Sequence, residues 1–391
     1  MKKTKFAYLF ATALVAGTMG LTSCQEEVEN PAATGESTVT IGLSTIGTRS
    51  SANEVNMGSE LQKISNVVVA PMIQNAYQNP ILFGDFTPKA TGKLTKKATT
   101  LSQSVSRFKV FGNVPASCFG SLSETSVFTS AAIKAEAAVD APTPGTYSQP
   151  HGLYYYYDTE SNGFSASAQE WPSTGEPTGW QTVTALGANK SVKITPVNYA
   201  VGVLAAAVLN GDAAEVFKEG EVMKSFDNCT TNPVTVSGLI VYGQTESFDA
   251  DFKASGSVNV YETANVPAIG DATVDNDNRG NGNIYCVVAP TTADRVSLNI
   301  EFEVAAGYSL TLANGDEVAA GEKFYLPVVL NKALATSGSG NVFEADKATF
   351  LNATVKNWGL ASETPVQTTD VTVGVEFDVT WGAGLVFNVE I

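Results

Sequence analysis

Few residues of this chain have the types and spacing that chemistry needs. Histidine occurs once, as His151, which removes a nucleophile–histidine relay with a spare base and any multi-histidine metal site. Asp249 with Asp251, and Glu301 with Glu303, stand two apart. On a strand that spacing puts both carboxylates on one face, as glycoside hydrolysis would use them. In a chain with 39 Asp and Glu such pairs arise by chance, and no enzyme activity is expected. Asp275-Asn276-Asp277-Asn278-Arg279-Gly280-Asn281-Gly282-Asn283 begins like a calcium loop. Arg279 takes the fifth position, however, and Cys286 falls where the bidentate glutamate belongs. An Asn/Gly-rich hairpin turn bordered by Val274 and Ile284 accounts for it better, so no metal and no cofactor is expected. Tyr154 to Tyr157, Trp171 and Trp180 lie among Gly, Pro and Ser and offer aromatic faces to a glycan. A strand with alternating tyrosine faces is the plainer account, and His151 beside them is read as a surface residue.

The N-terminus carries a stronger signal. Lys2, Lys3 and Lys5 precede an apolar run from Phe6 to Leu21, short for a membrane span and placed as a secretory signal. Leu21-Thr22-Ser23-Cys24 is similar to the lipobox of bacterial lipoproteins, where small residues precede a cysteine that is lipidated and becomes the new N-terminus. Cys24 is therefore the expected site of lipidation (palmitate). The lipid would be the link to the outer membrane, firm with two or more acyl chains and marginal with one. Gln25-Glu26-Glu27-Val28-Glu29 resembles an acidic surface-export signal, or serves as a solvated tether. Cys118, Cys229 and Cys286 are odd in number, so at most one internal disulfide forms and one thiol is left over.

At 391 residues two domains are the default. The chain is 43% hydrophobic, enough for a core, yet only 16% charged. Its polar surface is thus mostly Thr, Ser, Asn and Gly, as in β-rich extracellular proteins. A net charge of −16 repels a phosphate backbone, so nucleic acid is not expected as a partner. Val39-Thr40-Ile41-Gly42-Leu43-Ser44 alternates as a half-buried strand does. It ends at Gly47-Thr48-Arg49-Ser50-Ser51, and the polar stretch onward to Glu60 is open to a protease. Ile64 to Met72 and Phe108 to Pro115 read as strands, with Gly-, Pro- and Lys-rich turns between them. Ala131 to Ala138 suits a short helix, and 141–190 is loop-like. Tyr199 to Leu209 is apolar on both faces, as in the middle of a sandwich, and the change of domain is placed near 190. Val234–Tyr242, Asn283–Ala289, Val296–Val304 and Lys323–Leu330 follow as strands. Many short strands and few helices mean a sandwich or barrel. At the C-terminus Val371, Val373, Val375, Phe377, Val379 and Trp381 alternate, then Leu385, Phe387, Val389 and Ile391 after Gly382-Ala383-Gly384. Such a strand either pairs within its own domain or is offered to a neighbour.

Taken in order, several segments resemble a Bacteroidetes fimbrillin, the subunit of type V pili. They are the lipobox ending at Cys24, a strand followed by Thr48-Arg49, and Phe111-Gly112-Asn113-Val114-Pro115. Phe324-Tyr325-Leu326-Pro327-Val328-Val329-Leu330-Asn331 follows, then Val342 to Lys347 and Leu351 to Trp358. The resemblance implies an all-β fold of two tandem transthyretin-like β-sandwich domains, with Greek-key-type strands and few short helices. Residues 1–23 would be the lipoprotein signal and 24–49 a propeptide holding the first strand. Residues 50–190 would form the N-terminal domain and 191–391 the C-terminal one. It further implies a surface precursor cut between Arg49 and Ser50 by an Arg-specific protease. Loss of the strand carrying Val39, Ile41, Leu43 and Ile46 would open an apolar groove, filled by the 371–391 donor strands of another subunit. The partners are then other fimbrial subunits, self or accessory, joined head to tail; such a contact does not close and builds a filament. A retained lipid would mark an anchor or accessory subunit, and the terminal alternation argues against a tip. The implied role supports adhesion, with no host or glycan target named by the sequence. The alternative, from another class, is a monomeric surface lipoprotein binding glycans through the aromatic loop near 150–180.

Overall fold

The computed structural model of the protein describes residues 35–45, 64–86, 95–113, 155–160, 163–245, 247–249, 251–255, 260–265, 284–334, 340–367 and 383–390. These residues are strands and turns, with only single 3-10 turns at Phe226–Asn228, Lys332–Leu334 and Trp358–Leu360. The fold is all-β, as composition and alternation require.

The first half contains β1 (Glu36–Thr45), β2 (Ile64–Ile73), β3 (Ala76–Tyr77), β4 (Ile81–Phe86), β5 (Thr95–Ser102), β6 (Arg107–Gly112), β7 (Tyr155–Asp158), β8 (Phe164–Ser167), β9 (Gln181–Val183) and β10 (Ser191–Tyr199). The sheet path runs β3-β2-β6-β7-β10-β1-β5, with β4 on β2 and β9 on β8. β10 serves two layers. Its first residues pair with β8 and β1, and Asn198 and Tyr199 pair with β7. The core between the layers joins Val39, Ile41, Phe164 and Val192 to Val69, Phe108 and Val110. Phe108 meets Phe164 edge-to-face at 4.9 Å.

The second half contains β11 (Gly202–Asn210), β12 (Phe217–Glu219), β13 (Val222–Lys224), β14 (Val234–Gln244), β15 (Ser247–Phe248), β16 (Ala254–Ser255), β17 (Val260–Asn265), β18 (Ile284–Val288), β19 (Arg295–Val304), β20 (Tyr308–Thr311), β21 (Glu317–Val318), β22 (Lys323–Asn331), β23 (Ala348–Val355) and β24 (Ala383–Glu390). Sheet β18-β11-β23-β24 packs on sheet β17-β14-β19-β22 through one apolar core. Trp358 is fully buried in that core, stacked on Phe226 at 5.8 Å and edge-on to Phe302 at 5.2 Å.

β11 explains its own two-faced hydrophobicity. Leu204, Ala206 and Val208 enter the second core, while Val203 and Ala205, next in alternation, enter the first. The sheet is therefore covered on both sides, once by its own partner sheet and once by the other half. Period-2 geometry makes this possible, because successive side chains point to opposite faces.

β10, which follows the domain change expected near 190, pairs with β1, β7 and β8. Two expectations change. The Lys-rich stretch expected to be turns holds β4 and β5, and the loop-like stretch holds β7, β8 and β9. The expected helix at Ala131–Ala138 and the calcium-like loop at 275–283 lie outside the described residues, as does Cys118.

Candidate functional site

β1 is an interior strand. It runs antiparallel to β5, with Glu36 opposite Ser102 and Leu43 opposite Thr95. It runs parallel to β10, with Thr40 opposite Ser191 and Leu43 opposite Ile194. Gly35 accepts from Gln103 N at 2.9 Å, Thr40 N donates to Lys190 O at 2.9 Å, and Ser37 Oγ donates to Gly187 O at 3.0 Å. Val39 and Ile41 are 0% exposed, while Thr38 faces solvent. The alternation in the sequence thus becomes one face in the core and one face out. Taken away, β1 would leave two unpaired strand edges, on β5 and β10, flanking an apolar slot.

Leu43 lies on β1 in the register given above. Ile46, Arg49, Ser50 and Cys24 lie outside the described residues. At the other end of the chain Leu385, Phe387 and Val389 lie on β24, whereas Val371, Val373, Val375, Phe377, Val379, Trp381 and Ile391 lie outside the described residues. β24 pairs parallel with β23, Leu351 opposite Phe387 and Ala353 opposite Val389. Among the described residues it ends the sheet order, with β23 as its one neighbour. In the single chain β24 thus pairs within its own half.

Sequence reasoning did not find the partners of β1. β5 reads Thr95-Lys96-Lys97-Ala98-Thr99-Thr100 and shows no apolar alternation there. A ladder needs only backbone N–H and C=O groups, which every residue here supplies.

A charged joint lies between the halves. Lys109, 5% exposed on β6, forms an ion pair with Asp251 from the second half. Burial would lower the ammonium pKa, but its hydrogen bonds to Asp251 and Tyr77 outweigh that and hold it above the usual lysine value. The same bond holds the Asp251 carboxyl below the usual range, against the opposing effect of burial. Arg107 Nε donates to Asp158 Oδ1 at 2.7 Å, and Glu160 lies 2.7 Å from its guanidinium. Tyr156 stacks on Phe252 at 5.4 Å. Burial, then the charges of Asp158 and Asp251, push its phenol pKa up.

The other candidate residues have the following partners. Asp249 Oδ1 accepts from the backbone N–H of Asp251 at 2.8 Å and of Lys253 at 2.9 Å, which ties a turn. Glu301 is 0% exposed and pairs with Lys323 at 2.7 Å and Ser237 Oγ at 2.6 Å. Among the described residues the expected aromatic platform divides between two places, while Tyr154 and His151 lie outside them. Tyr155 is buried on β7 against Tyr199, and Tyr156 belongs to the joint. Trp171 and Trp180 lie on the β8–β9 loop, 5.5 Å apart and tilted by 57°. Trp171 Nε1 donates to Gly175 O at 3.3 Å, and Lys193 sits 6.0 Å over Trp180. Cys229 and Cys286 are both unbridged thiols. Among the described residues no group of acids, His and Cys is arranged to hold a metal ion, and no helix is long and apolar enough to cross a membrane.

No protein-family model matches the chain, and no curated protein matches it. Several solved structures are similar. A putative cell adhesion protein from Bacteroides eggerthii is 12% identical with a TM-score of 0.45, covering 93% of this chain and 99% of its own. One of the same description from Parabacteroides distasonis is 10% identical, TM-score 0.41, over 84% of this chain and 91% of its own. The tip fimbrial protein Mfa3 of Porphyromonas gingivalis is 8% identical, TM-score 0.33, over 78% and 84%. Identities and TM-scores this low carry no residue's role and no partner over to this chain.

Proposed function

We propose that this chain is a structural subunit of a cell-surface fimbrium, exported as a lipoprotein precursor and polymerised by protease-triggered strand exchange in support of adhesion. The observation that carries the reading is the position of β1. It is the first strand described, it is hydrogen-bonded on both sides, and Val39 and Ile41 reach the core. A cut after Arg49 would turn it from a tethered strand into a separate peptide held by its ladders and side chains.

The energetics favour replacement over simple loss. Burying Val39 and Ile41 contributes ~1.5–3 kcal/mol each, and each ladder hydrogen bond adds a net ~0.5–1.5 kcal/mol. An emptied slot forfeits all of this and exposes apolar surface. A strand of matching alternation, parallel to β10 and antiparallel to β5, restores it. The segment with Leu385, Phe387 and Val389 has that period and, among the described residues, pairs with β23 alone. Exchange between copies is head-to-tail and open-ended, so it extends into a filament. The lipid on Cys24 would hold the precursor, or a retained anchor or accessory subunit, at the outer membrane.

The test is a gel of the surface fraction, unboiled against boiled, with sequencing of the mature N-terminus. A ladder that collapses on boiling, chains starting at Ser50, and no ladder from a chain lacking 371–391 are expected. A single unboiled band from chains that start at Ser50 would sink the proposal.

A further inference from the structure

Among the described residues, four buried side-chain polar atoms have no hydrogen-bond partner, and two of them, Asn198 Oδ1 and Thr245 Oγ1, line one groove. The groove encloses about 740 Å³ where the two halves meet, a size typical of small-molecule sites. It runs from Tyr156 and the end of β10, past the turn around Phe252, to the segment before β23. An unpaired buried polar group costs about 1–3 kcal/mol, so two in one place call for an explanation.

The backbone gives a second, independent sign. Only four non-glycine residues among those described have a left-handed backbone, and two of them, Phe252 at φ 53° and Asp346 at φ 61°, line the same groove. Asp tolerates this region, but a bulky side chain such as that of Phe252 is a true outlier there, and such strain persists only where the surroundings enforce it. Here they do. Phe252 N donates to Asp249 O at 2.9 Å, Asp346 N donates to Val201 O at 3.0 Å, and Asp346 Oδ1 accepts from Tyr199 N at 3.1 Å.

The lining selects the chemistry of an occupant. Three carboxylates, Asp251, Glu344 and Asp346, against one ammonium, Lys253, leave the lining net acidic and disfavour an anion. A cation finds them engaged, Asp251 by Lys109, Glu344 by Lys347 and by Asn341 N at 2.6 Å, and Asp346 by Tyr199 N. What remains on offer is hydrogen bonding to a neutral group. The Asn198 amide has both donors and an acceptor, and the Thr245 hydroxyl can donate or accept by rotation, so each suits a neutral hydroxyl partner. We propose that the groove between the halves binds a neutral, polyhydroxylated ligand of mono- or disaccharide size, with Asn198 and Thr245 as its hydrogen-bonding anchors. β1 takes no part in the groove, so the proposal stands apart from strand exchange.

The test is calorimetric titration of the full chain with glucose, galactose, mannose, N-acetylglucosamine and lactose in turn. At least one sugar should bind saturably, at about millimolar Kd. Thr245→Val and Asn198→Ala should each weaken that binding about tenfold, and Trp171→Ala should leave it unchanged. Absence of saturable binding to every sugar overturns the proposal, as does binding that both groove variants leave intact. Loss on Trp171→Ala alone also overturns it and assigns the sugar to the β8–β9 loop. Should the groove variants fail to fold, the unaltered chain decides. The sugar must slow amide exchange at Phe252 and Asp346, and unchanged exchange there overturns the proposal.

Discussion

Ile41 and Val192 stand opposite each other across the parallel β1–β10 ladder, and both are 0% exposed. One belongs to the segment that would leave and the other to the strand that would receive its replacement. The pair therefore defines one side of the slot, and Val39 extends the same face of β1 into the core.

Truncating that face should weaken the precursor and not the exchanged form. Ile41→Ala leaves a cavity in a fully buried position, with an expected loss of about 2–5 kcal/mol in the uncut chain. Denaturant unfolding measures it. In polymer, where the slot holds another copy's strand, the same variant should match the unaltered chain.

Cleavage alone should not free the leading segment. Both ladders of β1 survive a cut after Arg49, so the segment should stay bound through size exclusion and be found by mass spectrometry. A synthetic peptide spanning 383–390, added in excess, should speed its release. Immediate dissociation on cleavage, with no competitor present, would contradict the two-sided ladder as the holding force.

The joint between the halves should loosen on the acid side. Asp251 has a carboxyl pKa depressed by Lys109, so its contribution is complete above the ordinary value near ~3.9 and fades as pH falls below it. Lys109 has a raised pKa, so its share is present at neutral pH and is lost only as pH climbs past about 10.4. The Tm gap between the unaltered chain and Asp251→Asn should hold steady from about pH 5 to 9 and close toward pH 3. Asp251 is partly exposed and screened, which keeps the gap small.

Trp358 should matter more than any other single side chain of the second half. It is 0% exposed and touches Phe217, Phe226, Phe302 and Phe324. Its N–H donates to Asn210 Oδ1 at 2.9 Å. Trp358→Ala should cost about 3–5 kcal/mol, while Trp171→Ala, on a surface loop, should change stability by about 0.5 kcal/mol or less. Paired thermal melts decide the order.

The sequence by itself determined that this chain is built of strands and which side chains those strands bury. Val39 and Ile41 announce their face through period-2 alternation, a property of the chain one residue at a time. Pairing is a different kind of property. β5 carries Lys96, Lys97 and three threonines and has no apolar signature to mark it, yet it forms half the slot because backbone groups pair regardless of side chain. β10 likewise reads as the opening of the second half, and only its ladders with β8, β1 and β7 assign it to the first. The groove between the halves needs Asn198 and Thr245 from opposite sides of the joint. Residues so far apart meet only through tertiary contacts, because local pattern encodes a strand's faces and not its neighbours.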